Sequence, residues 1–132
     1  MEGLFIHKID PANAADDPKG NVWNWNQPNR FAVTVLDRKA GVKFGGHYHI
    51  GTDPSKNPEK LFIAKGKVRA VFQTHEGYRE EVILEQGQEI IIMPHICHAF
   101  LALEDCLILE FRISWYDKNS SDTHPVAMEV QP

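Results

Sequence analysis

Residues 45–49 read Gly-Gly-His-Tyr-His. In an extended segment side chains alternate between two faces, so His47 and His49 project to the same side. Two imidazoles on one face can share a metal ion, because a neutral ring nitrogen is a good ligand for Zn, Fe, Mn, Ni or Cu. A metal held by few protein ligands keeps open positions for a substrate oxygen or a water. The paired glycines just ahead mark a place where the backbone turns away from regular strand geometry. His7, His75 and His124 stand alone in their stretches and read as ordinary surface or core residues.

The elements that would position these histidines are short strands. From Phe31 onward, apolar or alternating runs recur every eight to twelve residues: FAVTVLD, VKFGGHYHI, LFIAKG, VRAVFQT, EVILEQ, EIIIMP, AFLAL and CLILEFRISWY. Short, regularly spaced strands divided by turns argue for a sandwich or barrel. Turn chemistry falls between them at Ala64-Lys65-Gly66-Lys67, Glu76-Gly77-Tyr78, Gln86-Gly87-Gln88 and Glu104-Asp105. The class expected is therefore all-β and antiparallel, with little or no helix. Residues 1–30 read as an irregular N-terminal arm carrying Trp23 and Trp25, residues 31–116 as the barrel, and residues 117–132 as a polar, Pro-bearing tail, mobile or packed on a neighbour.

The 132 residues fit one domain, and a net charge of −4 with 24% charged and 42% hydrophobic residues describes an ordinary globular chain. No basic patch favours nucleic acid, and no apolar run approaches the roughly 20 residues that span a bilayer. Met1 to Asp10 lacks the basic start and long apolar core of a secretory signal, so a cytoplasmic location is expected, with Cys97 and Cys106 as free thiols.

Reading outward from the histidines, Gly41 is followed by five residues and His47-Tyr48-His49, and Glu59 is followed by six residues and Gly66. This resembles the first motif of the cupin superfamily, Gly-x5-His-x-His-x3-4-Glu-x6-Gly. The second motif, Gly-x5-Pro-x-Gly-x2-His-x3-Asn, has a counterpart in GQEIIIMPHICHAFLA, with Gly87 and His98 at the required separation. The resemblance covers roughly residues 31–115 and implies a small single-domain, RmlC-like jelly-roll barrel. It further implies that His47, His49, Glu59 and His98 hold a divalent transition metal (Zn, Fe, Mn or Ni) and line the catalytic site, and that the chain forms homodimers.

The departures from the motifs define specific questions. Nine residues separate His49 from Glu59, so the loop IGTDPSKNP is longer than the motif allows, and Asp53 is a rival ligand at the usual spacing. Glu59 is preferred because it leads directly into the strand-like run KLFIAKG. In the second motif His95 takes the glycine position; if the turn needs positive φ, histidine there is tolerated but strained. His95 either lines the pocket mouth or faces solvent. Tyr48 points away from the ligand face, Cys97 reads as a small buried hydrophobe, and Glu110 with Arg112 reads first as an ion pair, second as pocket polar groups.

The function expected on these grounds is a metal-binding cupin, acting on a small polar carbonyl or sugar-like molecule by isomerase or epimerase chemistry. EKLFIAKGKVRAVF and MPHICHAF look similar to stretches in cupins of polysaccharide or sugar-nucleotide pathways. Two alternatives use the same residues: an Fe(II)-dependent dioxygenase, or a non-enzymatic small-molecule-binding or sensor cupin. In the sensor reading the metal is structural, with Asp53 or His95 closing its shell.

Overall fold

The computed structural model describes Glu2, residues 10–26 and residues 31–132; Leu4, Phe5, Ile6 and His7 lie outside the described residues. Among the described residues, ten strands form two five-stranded antiparallel sheets. The first runs β1 (Val22–Asn26), β2 (Ala32–Arg38), β9 (Cys106–Arg112), β4 (Glu59–Lys65) and β7 (Glu89–Ile92) in spatial order. The second runs β10 (His124–Pro125), β3 (Lys43–Tyr48), β8 (Cys97–Ala102), β5 (Lys67–Gln73) and β6 (Arg79–Glu85). Helical structure among the described residues is confined to two single 3-10 turns, Pro54–Lys56 and Lys118–Ser120. No helix among the described residues is long and apolar enough to cross a membrane.

Alternation along each strand places the core. In β4, Glu59, Leu61 and Ile63 are buried while Lys60 and Phe62 are exposed. Val68 and Ala70 of β5, Leu84 of β6, Ile92 of β7, Phe100 and Ala102 of β8 and Ile108 of β9 close around them. Burial of these side chains drives the two sheets together.

Two segments differ from the sequence expectation. The arm read as irregular contains β1, whose Val-Trp-Asn-Trp-Asn alternation pairs in full register with β2; the surrounding Pro, Asn and Asp masked that period of two. The tail after Tyr116 packs on its own barrel: His124 and Pro125 pair with Tyr48 and His47, Asp122 is buried, and Val130 is 3% exposed beside Val71, Ala99 and Leu101.

Strand β9 inverts the usual pattern. Its inward residues include Glu110 and Arg112, both buried, while Phe111 is 49% exposed on the outer face. Register places Trp25, Val33, Phe111, Lys60 and Ile91 in one row across that face, and Trp23, Val35, Leu109, Phe62 and Glu89 in the next.

Gly66 joins β4 to β5 at φ 90°, and a Cβ there would lie 2.5 Å from the Asp105 carbonyl oxygen and 2.7 Å from Cys106 Cβ. Both the left-handed backbone and the close approach demand glycine. Gly66→Ala is expected to cost about 2 kcal/mol, read as a melting temperature several degrees lower than the parent's; an unchanged melting temperature would show that the β4–β5 link relaxes freely.

Candidate metal centre

The two glycines before His47 make a bulge. Gly45 and Gly46 adopt φ of 79° and 75°, and the β3–β8 register slips between Gly45, opposite Ala99, and His47, opposite His98. A Cβ on Gly45 would meet the His98 carbonyl oxygen and the Phe100 ring at 3.1 Å. An extra residue in one strand re-aims the side chain that follows it, and here it brings His47 directly across from His98. The rings of His47 and His49 lie 4.8 Å apart, those of His47 and His98 4.7 Å, and those of His49 and His98 5.2 Å. One ligand atom from each histidine falls within 4.8 Å of the others.

Hydrogen bonds to main-chain carbonyls set two of the rings. His49 Nδ1 donates to the Asp122 carbonyl at 2.7 Å, and His98 Nδ1 donates to the Ile96 carbonyl at 2.9 Å. A neutral imidazole carries one proton, so each Nε2 is left as a lone-pair acceptor. Both Nε2 atoms are buried without a hydrogen-bond partner. They face the Glu59 carboxylate, with His49 Nε2 3.2 Å from Oε2 and His98 Nε2 3.5 Å from Oε1.

Electrostatics keep this cluster in its ligand form. Burial, with the neighbouring His98 and His49 adding to it, brings His47 down to about 3 against the pull of Glu59. Burial likewise lowers His98, although Glu59 opposes it. Burial works to raise the Glu59 carboxyl, but the Lys56 ammonium, donating at 2.6 Å, holds it well below the usual carboxylate range. Neutral His47 and His98 beside an ionised carboxylate, with His49 converging on the same point, form a donor set that takes a divalent cation.

Lys56, which the motif reading did not single out, completes the polar end of the barrel. Its 3-10 turn is capped by Asp53, whose carboxylate accepts from Ser55 N at 2.9 Å. Lys56 Nζ donates to Glu59 Oε2 at 2.6 Å and to Glu110 Oε1. Arg112 then joins Glu110 at 3.1 Å and Asp53 at 2.6 Å. The Glu110–Arg112 ion pair expected from the sequence is present, and it is buried. Asp53 is held by Arg112 and Ser114 and does not reach the histidines. His95 does have positive φ, at 72°, and its ring meets His75 at 3.3 Å and stacks near Tyr48 rather than joining the cluster. Cys97 and Cys106 are free and buried.

Inside the barrel, a cavity of about 180 Å³ is lined by His47, His98, Glu59, Lys56, Glu110 and Arg38, with Leu36, Phe44, Leu61, Phe100 and Ile108 as its apolar walls. Apolar walls with a few converging polar groups suit a small ligand.

Two antiparallel sheets enclosing a buried histidine cluster define a cupin-fold jelly roll with a site able to hold a metal. No protein-family model and no curated protein sequence matches the chain. Among solved structures it is similar to the capsular polysaccharide assembling protein CapF from Staphylococcus aureus, at 21% identity and TM-score 0.78, covering 94% of this chain and 34% of that one. CapF with the inhibitor 3-isopropenyl-tropolone matches at 21% identity and TM-score 0.76, over 94% and 35% of the two chains. A Bacillus subtilis oxalate decarboxylase structure, concerned with that enzyme's Mn(II) centres, matches at 16% identity and TM-score 0.66, over 92% and 33%. The chain thus spans about a third of the length of these proteins, and at such identities the likeness carries the fold.

Asp122 ties the tail to the site. Its carboxylate accepts from Ile50 N, Gly51 N and Asp53 N at 3.0, 2.8 and 3.2 Å, while its carbonyl holds His49. Burial raises its pKa, but these amides and His124 outweigh that and bring it to about 2. A carboxylate depressed on folding contributes stability above its ordinary pKa, and that stability is lost as pH falls through the folded value. Stability should therefore drop between about pH 4 and pH 2 in the parent. Asp122→Asn should melt lower at pH 7 and show a flatter acid limb; parallel acid limbs would rule the clasp out.

Proposed function

We propose that the chain is a metal-dependent cupin enzyme acting on a small polar carbonyl or sugar-like substrate by isomerase or epimerase chemistry. His47, His49, His98 and Glu59 hold the divalent transition metal. The observation that carries this reading is the pair of buried, unpartnered Nε2 atoms on His49 and His98, each fixed as an acceptor by its own Nδ1 bond. Acceptors turned on an ionised carboxylate repel it unless a cation lies between them. When bound, the ion would act as a Lewis acid on a substrate oxygen. Moving a proton beside a carbonyl needs a base and positive charge near the oxygen. The Lys56 ammonium, on the cavity wall, supplies that charge.

Two comparisons support this reading. CapF assembles capsular polysaccharide, a sugar-based product. A tropolone, the inhibitor found with CapF, presents two adjacent oxygens, the arrangement an open metal site chelates. Asp53 and His95 are both engaged elsewhere, which leaves the metal shell open and favours a catalytic over a purely structural ion.

We also propose that the expected homodimer forms through the outer face of the first sheet. Trp25, Phe62, Ile91 and Phe111 are between 42% and 53% exposed there, large apolar side chains gathered on one face as at an interface. Lys60 lies within one row and Glu89 at the end of the next, opposite charges that a two-fold axis can pair between copies.

Elemental analysis of the purified protein should find near-stoichiometric transition metal. Replacing both His47 and His49 by Ala should abolish it, and His75→Ala should not; equal metal in all three would sink the assignment. Substrate turnover without dioxygen uptake is expected, and oxygen consumption would move the reading to a dioxygenase. Sedimentation should show a dimer that Phe111→Lys converts to a folded monomer, whereas a monomeric parent would overturn the proposed interface.

A further inference from the structure

Arg38 is the one cation of the cavity that forms no ion pair among the described residues. Lys56 is bound to Glu59 and Glu110, and Arg112 to Glu110 and Asp53. Arg38, at the end of β2, has the Phe44 ring beside it, 5.4 Å from its guanidinium carbon. Its Nε is buried with no hydrogen-bond partner. A guanidinium presents donors in a planar fork that fits a carboxylate, and leaving one buried and unused is costly. An unused donor on a residue that lines a cavity is a binding element.

The cavity is shaped to bring an anion there. Arg38 lines the inner 180 Å³ space together with His47, His98 and Glu59. It also lines an adjoining hollow of about 290 Å³, bordered by Asn13, Asn24, Thr34 and Tyr116. Leu36, Lys56 and Glu110 are common to both, so the guanidinium stands where a ligand entering from the hollow would pass towards the histidines.

We propose that the substrate class is a small hydroxy- or oxo-carboxylate, with its carboxylate on Arg38 and its hydroxyl or carbonyl oxygen at the histidine end. This rests on the metal-dependent reading above and adds to it a substrate charge and the residue that selects it. Arg38 is here a specificity-determining residue, outside the four proposed ligands.

The test is isothermal titration of glycolate, and of its neutral counterpart ethylene glycol, into the parent, Arg38→Gln and Arg38→Lys, with metal content measured on the same samples. Metal-loaded parent should bind glycolate at least tenfold more tightly than ethylene glycol. Arg38→Gln should lose at least tenfold in glycolate affinity with metal unchanged, and Arg38→Lys should keep most of it. Equal affinity of the parent for the two ligands, or of parent and Arg38→Gln for glycolate, would overturn the carboxylate site while leaving the metal reading standing. If the parent retains no metal, that reading fails by itself. The same glycolate comparison in metal-free protein then decides the role of Arg38, a tenfold difference supporting it and equal affinity overturning it. Should Arg38→Gln melt before it can be titrated, the glycolate and ethylene glycol comparison in metal-free parent decides the question, a tenfold preference for glycolate supporting the carboxylate site and equal affinity overturning it.

Discussion

A chain of buried ion pairs, Asp53 to Arg112 to Glu110 to Lys56 to Glu59, runs through the polar end of the barrel, and the candidate site depends on it. The buried members, Glu59, Glu110 and Arg112, were taken out of water at a cost that their ion-pair partners offset. Removing one member would leave its neighbours a partner short in the interior. The consequence for the site is positional: Glu59 cannot rotate away from the histidines without breaking its bond to Lys56, and Lys56 cannot leave without exposing Glu110. A carboxylate fixed in this way, ahead of any ion, lowers the reorganisation needed when one binds.

The same chain accounts for the long loop between His49 and Glu59. Nine residues there would be a loose excursion if they were only solvated. Instead Asp53 caps the 3-10 turn and binds Arg112, Ser55 Oγ accepts from Ile113 N and Ser114 N at 3.0 and 3.2 Å, and Lys56 is delivered to the cavity. Asp122 closes the loop from the other side by accepting its amides. The insertion is therefore a structural element that contributes a cation to the interior, and the tail is what pins it.

Much of this was legible in residue order and some of it was not, for physical reasons. Most strands and turns, and the shared face of His47 and His49, follow from periods of two and turn chemistry, which are local properties; His98 joined them only through the resemblance. The strain at His95 followed from a glycine position filled by another residue. Asp53 as a rival ligand looked reasonable because spacing alone cannot say which carboxylate an arginine 59 residues further on will claim. Lys56 and Asp122 carry no local signal at all. Their roles come from long-range register, with Lys56 reaching β9 and the tail returning to β3.

Strand β9 shows how a pattern can be read correctly and placed inside out. Its alternation separates Glu110 and Arg112 from Leu109, Phe111 and Ile113, and in an isolated domain the charged set would normally face water. Here the charged set faces the interior and Phe111 faces out. A chain holds that arrangement only if the interior has polar work that repays burying two charges, and if the outer apolar face has something to cover it. The two proposals, an ionic cavity that binds a charged ligand and a dimer through the first sheet, are thus answers to a single inversion. The register of β9 against β2 and β4 ties them together, because slipping it by one residue would move Glu110 out of the cavity and Phe111 off the surface at once.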